Sequence, residues 1–196
     1  MLFRSACEYF DIKPDIVCLA KSIGGGFSLA AFASSREVMN LITDHKVFHG
    51  GTYNTNPVAM AAGLATFREV LTPAAYQHVT RLNAKLLDGY NQQLQKTGLK
   101  AYVVGAGSNG TLMFFDKPIK NYRDWLNVDS DLWRHYWFGM VNRGVMAQPY
   151  WWDEQWTVSV AHTDADVERH LAAFAEMAPA LAKAQKEPRV ASSSAH

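Results

Sequence analysis

Cysteine is scarce in this chain: Cys7 and Cys18 are the two in 196 residues. A disulfide-stapled secreted domain is thereby excluded, and reduced thiols in a cytoplasmic protein are the expectation. Charge of one sign is lacking as well. Nineteen Lys and Arg face 18 Asp and Glu, a formal net charge of +1, so no field draws the chain to nucleic acid or to an anionic membrane. No apolar run approaches the roughly 20 residues of a membrane span. Met1-Leu2-Phe3-Arg4-Ser5 has no apolar core, and no signal peptide is expected. No internal repeat of solenoid or propeller period is present. His45, His49, His135, His162 and His170 share no ligand spacing, so no metal site is expected. Gly24-Gly25-Gly26 belongs to neither a Walker loop nor a GxGxxG fingerprint, which removes the nucleotide-binding reading.

Apolar residues are plentiful. They make up 48% of the chain, with six Trp, eight Tyr and ten Phe, a globular composition with enough material for one domain or two small ones. The organising stretch is Pro14-Asp15-Ile16-Val17-Cys18-Leu19-Ala20-Lys21-Ser22-Ile23-Gly24-Gly25-Gly26. A short apolar run reads as a buried strand, with Cys18 as a small buried hydrophobe. It delivers Lys21 into a backbone that can turn tightly. A desolvated lysine works as an amine nucleophile toward carbonyls. Taken alone, the pattern fits a surface lysine in a strand-to-loop turn as well.

Residues 6–13 read as a short helix or turn, and Leu29–Ala33 as a second buried strand. Ser34 or Ser35 caps a helix through Ile42. The loop from Gly50 to Asn56 is polar and Gly-rich, and Asn56-Pro57 is a strong helix start. The helix that follows carries Met60, Leu64, Phe67 and Leu71 at helical spacing. Thr72-Pro73 starts a long helix with Val79, Leu82, Leu86, Tyr90 and Leu94 on one face, ending at Gly98. Strands are expected at 101–104, 112–115, 145–147 and 157–160, with loop at 118–127. Helices are expected from Asp129 or Ser130 to Arg143 and, behind a Thr163–Asp166 capping box, through Leu181. The domain expectation is 1–72 as part of a large α/β domain, 73–98 as a linking helix, 99–184 as a small α+β domain, and 185–196 as a disordered tail.

Three stretches together carry a resemblance. They are Lys21-Ser-Ile-Gly-Gly-Gly-Phe after Pro-Asp-Ile-Val; Gly50-Gly-Thr-Tyr-Asn-Thr-Asn-Pro through Gly63; and Arg143-Gly-Val-Met-Ala with Ser159-Val-Ala-His-Thr-Asp164. The chain, from Phe3 to about Ala182, resembles the class III pyridoxal-phosphate aminotransferases of fold type I. Within that class it is nearest to the glutamate-1-semialdehyde aminomutases and aminotransferases like them. The resemblance implies an α/β fold, namely the C-terminal part of the large domain plus the complete small domain. It implies amino-group transfer between an amino acid or amine and a keto or aldehyde acceptor, and pyridoxal phosphate as cofactor. Lys21 matches the family lysine that forms the Schiff base, and Thr52 matches a threonine that binds the cofactor phosphate of the neighbouring subunit. A homodimer is therefore implied. Gly51 offers a backbone N–H beside Thr52. Glu154, in Tyr150-Trp-Trp-Asp-Glu-Gln-Trp156, matches an acid near the substrate entrance of the aminomutase-like relatives. The loop is one residue longer here, which favours a transaminase with another substrate, and a surface loop packed by tryptophans is the alternative. Asn54 is a second candidate substrate contact, with a local turn role as its alternative. Arg143 reads as a cation at a helix C-terminus rather than as a carboxylate ligand.

By the same resemblance, the family's Gly-Ser/Thr phosphate cup, its ring-stacking aromatic and the Asp of an Asp-Glu-Val motif precede the region matched here. The expectation is thus an incomplete enzyme, or a non-catalytic truncated remnant, with part of its parallel sheet uncovered and poor solubility.

Overall fold

The computed structural model describes residues 6–187. These divide into two compact units, the first ending at Gln77 and the second beginning at His78. The division falls inside α4, Pro73–Thr97.

In the first unit α1 is Ala6–Tyr9, and β1 (Ile16–Leu19) pairs antiparallel with β2 (Ala31–Ser34), Cys18 opposite Phe32. A single 3-10 turn, Lys21–Gly24, lies between them. Ser35 caps α2, Arg36–Thr43, by accepting from the Val38 N–H at 3.3 Å. The Asn56 carboxamide accepts from Val58 and Ala59 N–H at 3.1 and 3.2 Å and starts α3, Pro57–Ala65. A π-helical turn, Thr66–Val70, follows.

Two expectations are corrected here. β1 and β2 are not buried: along each strand exposed residues alternate with half-buried ones, and Cys18 is exposed. Nor does α3 bury its large residues. Met60, Leu64 and Phe67 are each about half exposed, while Ala59, Gly63 and Thr66 are buried. The helix packs through its small face, because only small side chains allow the close approach that the lysine turn makes there. The π turn then shifts the register before Leu71.

The second unit has its own core. The three-stranded antiparallel sheet β3 (Tyr102–Ala106), β4 (Asn109–Met113) and β5 (Trp156–Thr157) is ordered β3-β4-β5. The other elements are α5 (Tyr122–Trp125), α6 (Ser130–Asn142) and α7 (Asp164–Lys186). Leu82, Leu86, Tyr90, Leu112, Trp133, Tyr136 and Phe174 form the centre of one cluster, each at most 4% exposed. Asn83 sits inside it. Its Nδ2 donates to the carbonyls of Gly107 and Asn109 at 3.1 and 2.9 Å, and its Oδ1 accepts from Trp156 Nε1 at 2.8 Å. One polar side chain thus joins α4, the β3–β4 turn and β5.

Three further differences appear. The segment 145–147 is not a strand. The expected loop 118–127 contains α5. Gln185 is helical, not tail: its side chain donates to the Lys100 carbonyl at 2.8 Å and accepts the Lys100 N–H at 2.7 Å, holding the end of α7 to the chain before β3. The remainder of the expected tail, 188–196, lies outside the described residues.

Candidate active site

Lys21 stands where β1 gives way to the turn. Ala20 is extended (φ −158°, ψ −167°), and Lys21 itself is left-handed at φ 59°. A residue with a Cβ occupies that region at a cost of roughly 1–2 kcal/mol. Such strain persists only where the surroundings over-determine it, and it collects at functional sites. Gly25 and Gly26 continue the turn at φ 58° and 103°, conformations that call for glycine.

The surroundings that fix Lys21 are on α3. Ile23 and Gly24 are buried. A Cβ on Gly63 would come within 2.4 Å of Leu29 Cδ2, and one on Gly25 within 2.8 Å of Thr66 Oγ1. Thr66 is itself held, its hydroxyl donating to the Ala62 carbonyl at 2.8 Å. Turn and helix therefore interlock through missing side chains. The Lys21 side chain is exposed and makes no hydrogen bond or ion pair among the described residues. The first unit does not desolvate it.

The loop that opens α3 holds the other candidates. The Asn54 N–H donates to the Gly51 carbonyl at 3.0 Å, and the Asn56 N–H to that of Tyr53 at 3.2 Å. A Cβ on Gly51 would come within 2.9 Å of Asn54 Oδ1, so Asn54 closes over the backbone at Gly51. Asn54 Nδ2 lies 3.3 Å from His49 Nε2. Thr55 is left-handed at φ 56°, and its hydroxyl donates to the Asn54 carbonyl at 2.7 Å. A β-branched residue in that region is a marked outlier. Gly51 and Thr52 are exposed, and the Thr52 hydroxyl and both N–H groups have no partner among the described residues. Unpaired N–H and O–H donors on a loop at a helix N-terminus suit an anion such as phosphate. The residues present thus offer an amine for a carbonyl at Lys21 and, separately, donors for a phosphate at that loop. α3 ties the two, one at its N-terminus and the other along its small face. Thr55 and Thr66 were not found from sequence, because the first acts through backbone geometry and the second through close packing, and neither leaves a pattern to read.

Glu154 lies in the second unit. It is half-buried, and its carboxylate has no partner among the described residues. Its carbonyl accepts from Thr111 Oγ1 at 3.0 Å and Gln148 Nε2 at 2.9 Å. Trp151 and Trp152 stack at 4.2 Å, Trp152 and Trp125 at 6.3 Å, and Arg134 lies 5.9 Å from the Trp152 ring. Arg143 caps α6 and is bound by Glu176 at 2.9 Å and the Gly139 carbonyl at 3.0 Å. Asp164 is held well below the usual carboxylate range, first by its two bonds from Arg81 at 2.8 Å and then by Lys85. Among the described residues no helix is long and apolar enough to cross a membrane.

Comparison with known proteins adds the following. The family model described as "Aminotransferase class-III" matches residues 3–150. A glutamate-1-semialdehyde 2,1-aminomutase of Thermus thermophilus is 36% identical over 179 residues, covering 90% of this chain and 42% of that protein. An omega-transaminase from Sphaerobacter thermophilus superposes with a TM-score of 0.76 at 27% identity, over 90% of this chain and 41% of its own. A glutamate-1-semialdehyde aminomutase from Pseudomonas aeruginosa, solved in complex with PMP, shares the fold with a TM-score of 0.77 at 24% identity, over 87% and 40%. The chain spans about two-fifths of the length of these relatives.

Proposed function

This chain belongs to the class III aminotransferase family, and from that premise we propose that it supplies the lysine-bearing part of a pyridoxal-phosphate enzyme. That enzyme moves an amino group between an amino acid or amine and a keto or aldehyde acceptor. The observation that carries the proposal is the strained turn of Lys21 packed against the small face of α3, with the unpaired Gly51–Thr52 donors in the loop before that helix.

When bound, the cofactor supplies the electron sink. The chain's own residues do the rest. Lys21 Nζ would hold the cofactor at its carbonyl and would carry a proton to and from the substrate Cα. Thr52 Oγ1 and the Gly51 N–H bind phosphate, in a homodimer that of the neighbouring subunit. Asn54 and Glu154 orient substrate. Cys7, half-buried, and Cys18, exposed, are in no disulfide, which supports a reducing, cytoplasmic setting. The 36% identity to an aminomutase supports a second reading, glutamate-1-semialdehyde 2,1-aminomutase. The altered aromatic loop around Glu154 supports the transaminase.

Borohydride trapping tests the lysine. With pyridoxal phosphate present, label should accumulate on Lys21 ahead of Lys13 and Lys46, and Thr52→Ala should reduce that preference severalfold. Even labelling of the three lysines would overturn the assignment. The isolated chain should not transaminate, since the acid the resemblance pairs with the ring nitrogen is not among its residues. Measured turnover would contradict this.

A further inference from the structure

The β3–β4 hairpin turns at Gly107 and Ser108, with Ala106 paired to Asn109 across its mouth and Gly107 left-handed at φ 59°. Asn109 stands immediately before Gly110, and it is the one asparagine of the chain followed by glycine. That dipeptide is reactive by its own chemistry. The backbone nitrogen of the following residue can attack the side-chain carbonyl carbon of asparagine, and glycine has no Cβ to obstruct the approach. Packing retains the glycine, because a Cβ there would come within 2.4 Å of Trp156 Cζ2.

The side chain of Asn109 is set up for that attack. It is exposed, while Gly110 is buried. Ser108 Oγ lies 3.4 Å from Asn109 Oδ1, where a donor draws electrons from the carbonyl. Asn109 Nδ2, the leaving group, makes no hydrogen bond among the described residues. The strand opposes the reaction. Asn109 pairs with Ala106 on β3 and with Thr157 on β5, and in extended backbone a side chain stands off the sheet, away from the next N–H. Ring closure therefore waits for local opening of the hairpin. Asp88-Gly89, a carboxylate counterpart of the same dipeptide, is held in the middle of α4.

We propose that Asn109 is a self-modification site, at which the Gly110 nitrogen bonds to Asn109 Cγ when the hairpin opens. The Cγ–Nδ2 bond breaks, the Gly110 amide proton goes to the departing nitrogen, and ammonia leaves. The cyclic imide then takes up water and opens to aspartate or isoaspartate. Nothing is oxidised or reduced, and water is the only co-reactant. In isoaspartate the main chain runs through Cγ and gains a methylene. The carbonyl that accepts from Asn83 Nδ2 at 2.9 Å then becomes a pendant carboxylate, and Gly110 is displaced against Trp156. The join that Asn83 makes between α4, the turn and β5 is thereby lost without return. The site uses no cofactor and no residue of the first unit, so it does not rest on the amino-transfer reading.

The test is to age the full 196-residue chain at neutral pH, folded and in guanidinium chloride, and to follow it by peptide mass spectrometry with enzymatic methyl-labelling of isoaspartate. The Asn109 peptide should gain the mass difference between an amide and an acid ahead of every other asparagine peptide, and at least roughly tenfold faster in denaturant than in the folded chain. The isoaspartate fraction, separated and refolded, should unfold at lower denaturant than fresh protein by tryptophan emission. Asn109→Gln, which keeps the backbone carbonyl for Asn83, should abolish the labelling at this site and the time-dependent loss of stability; if it does not fold, Asn109→Ser serves in its place. Earlier modification at another asparagine or at Asp88, an equal rate in folded and unfolded chain, or an isoaspartate fraction as stable as fresh protein would overturn the proposal.

Discussion

Tyr90 links three parts of the second unit through one hydroxyl. Its oxygen lies 2.6 Å from Tyr136 Oη and 2.6 Å from His170 Nε2. Both phenols are buried and pushed above their ordinary range by burial, so neither ionises. Donors and acceptors along the Tyr136–Tyr90–His170 row follow the imidazole tautomer. Burial lowers His170 from 6.5 to about 4, helped by the charge of His162. Between those values the unfolded chain binds a proton that the folded chain does not. Stability therefore rises with pH through the window, is fully present above about 6.5, and is lost progressively toward 4. Urea titrations followed by tryptophan emission should give a second unit about 2 kcal/mol less stable at pH 5 than at pH 7. His170→Gln should flatten that dependence; an unchanged slope would remove His170 from the account. Asn83 is the other residue on which the unit depends. Asn83→Ala strips partners from two carbonyls and the Trp156 indole N–H, and the same titration should show a loss of about 2–4 kcal/mol.

Elements with their own punctuation were legible in the sequence. Asn56-Pro57 starts α3, Thr163 and Asp166 close a capping box on α7, and Gly98 follows α4 at φ 67°. The large apolar residues of α4 do face the core. Where reading failed, the signal was a small residue or a distant partner. α3 carries two candidate faces, and periodicity alone favours Met60, Leu64 and Phe67 over Ala59, Gly63 and Thr66. The helix uses the second because Leu29 and the lysine turn fill the space over Gly63. The candidate site divides in the same way: Lys21 and Thr52 were legible through motif resemblance, while the left-handed backbone of Lys21 and Thr55 was not. β4 shows the same dependence on glycine. A Cβ on Gly110 would stand 2.4 Å from Trp156 Cζ2, on a ring stacked at 5.3 Å against Tyr90 and tied to Asn83. The ring cannot withdraw without breaking that bond. Gly110→Ala should cost about 1–3 kcal/mol and shift the Trp156 emission; a neutral result would mean that the β4–β5 ladder yields more easily than its packing implies.

The whole molecule is unevenly provided with core. Every residue of the large buried cluster lies at Val79 or beyond. Among the described residues the first unit buries only Ile23 and Ala59 of its hydrophobic side chains, while leaving Phe48 at 93%, Tyr53 at 85%, Val58 at 58% and Leu64 at 51% exposed. Its sheet is a two-stranded ladder, a form that is marginal in water without further strands or a covering helix. Large apolar side chains left exposed in this number are material for an interface, and the relatives, of which the chain spans about two-fifths, carry more chain with which to cover them. Two different stabilities should therefore coexist in the 196-residue protein. Native-state hydrogen exchange should find the amides of α4, α6 and α7 protected to the global limit, and those of β1, β2 and α3 opening several kcal/mol more easily. Residues 73–187 expressed alone should unfold cooperatively, since the second unit contains its own core. The full chain should self-associate at concentrations where that fragment stays monomeric, because the fragment lacks the apolar surface of the first unit. Sedimentation of the two at matched concentration separates the cases. A full chain as monomeric as the fragment, with equal protection in both units, would mean that the exposed side chains of the first unit cover one another, and the uneven core would cease to matter for solubility.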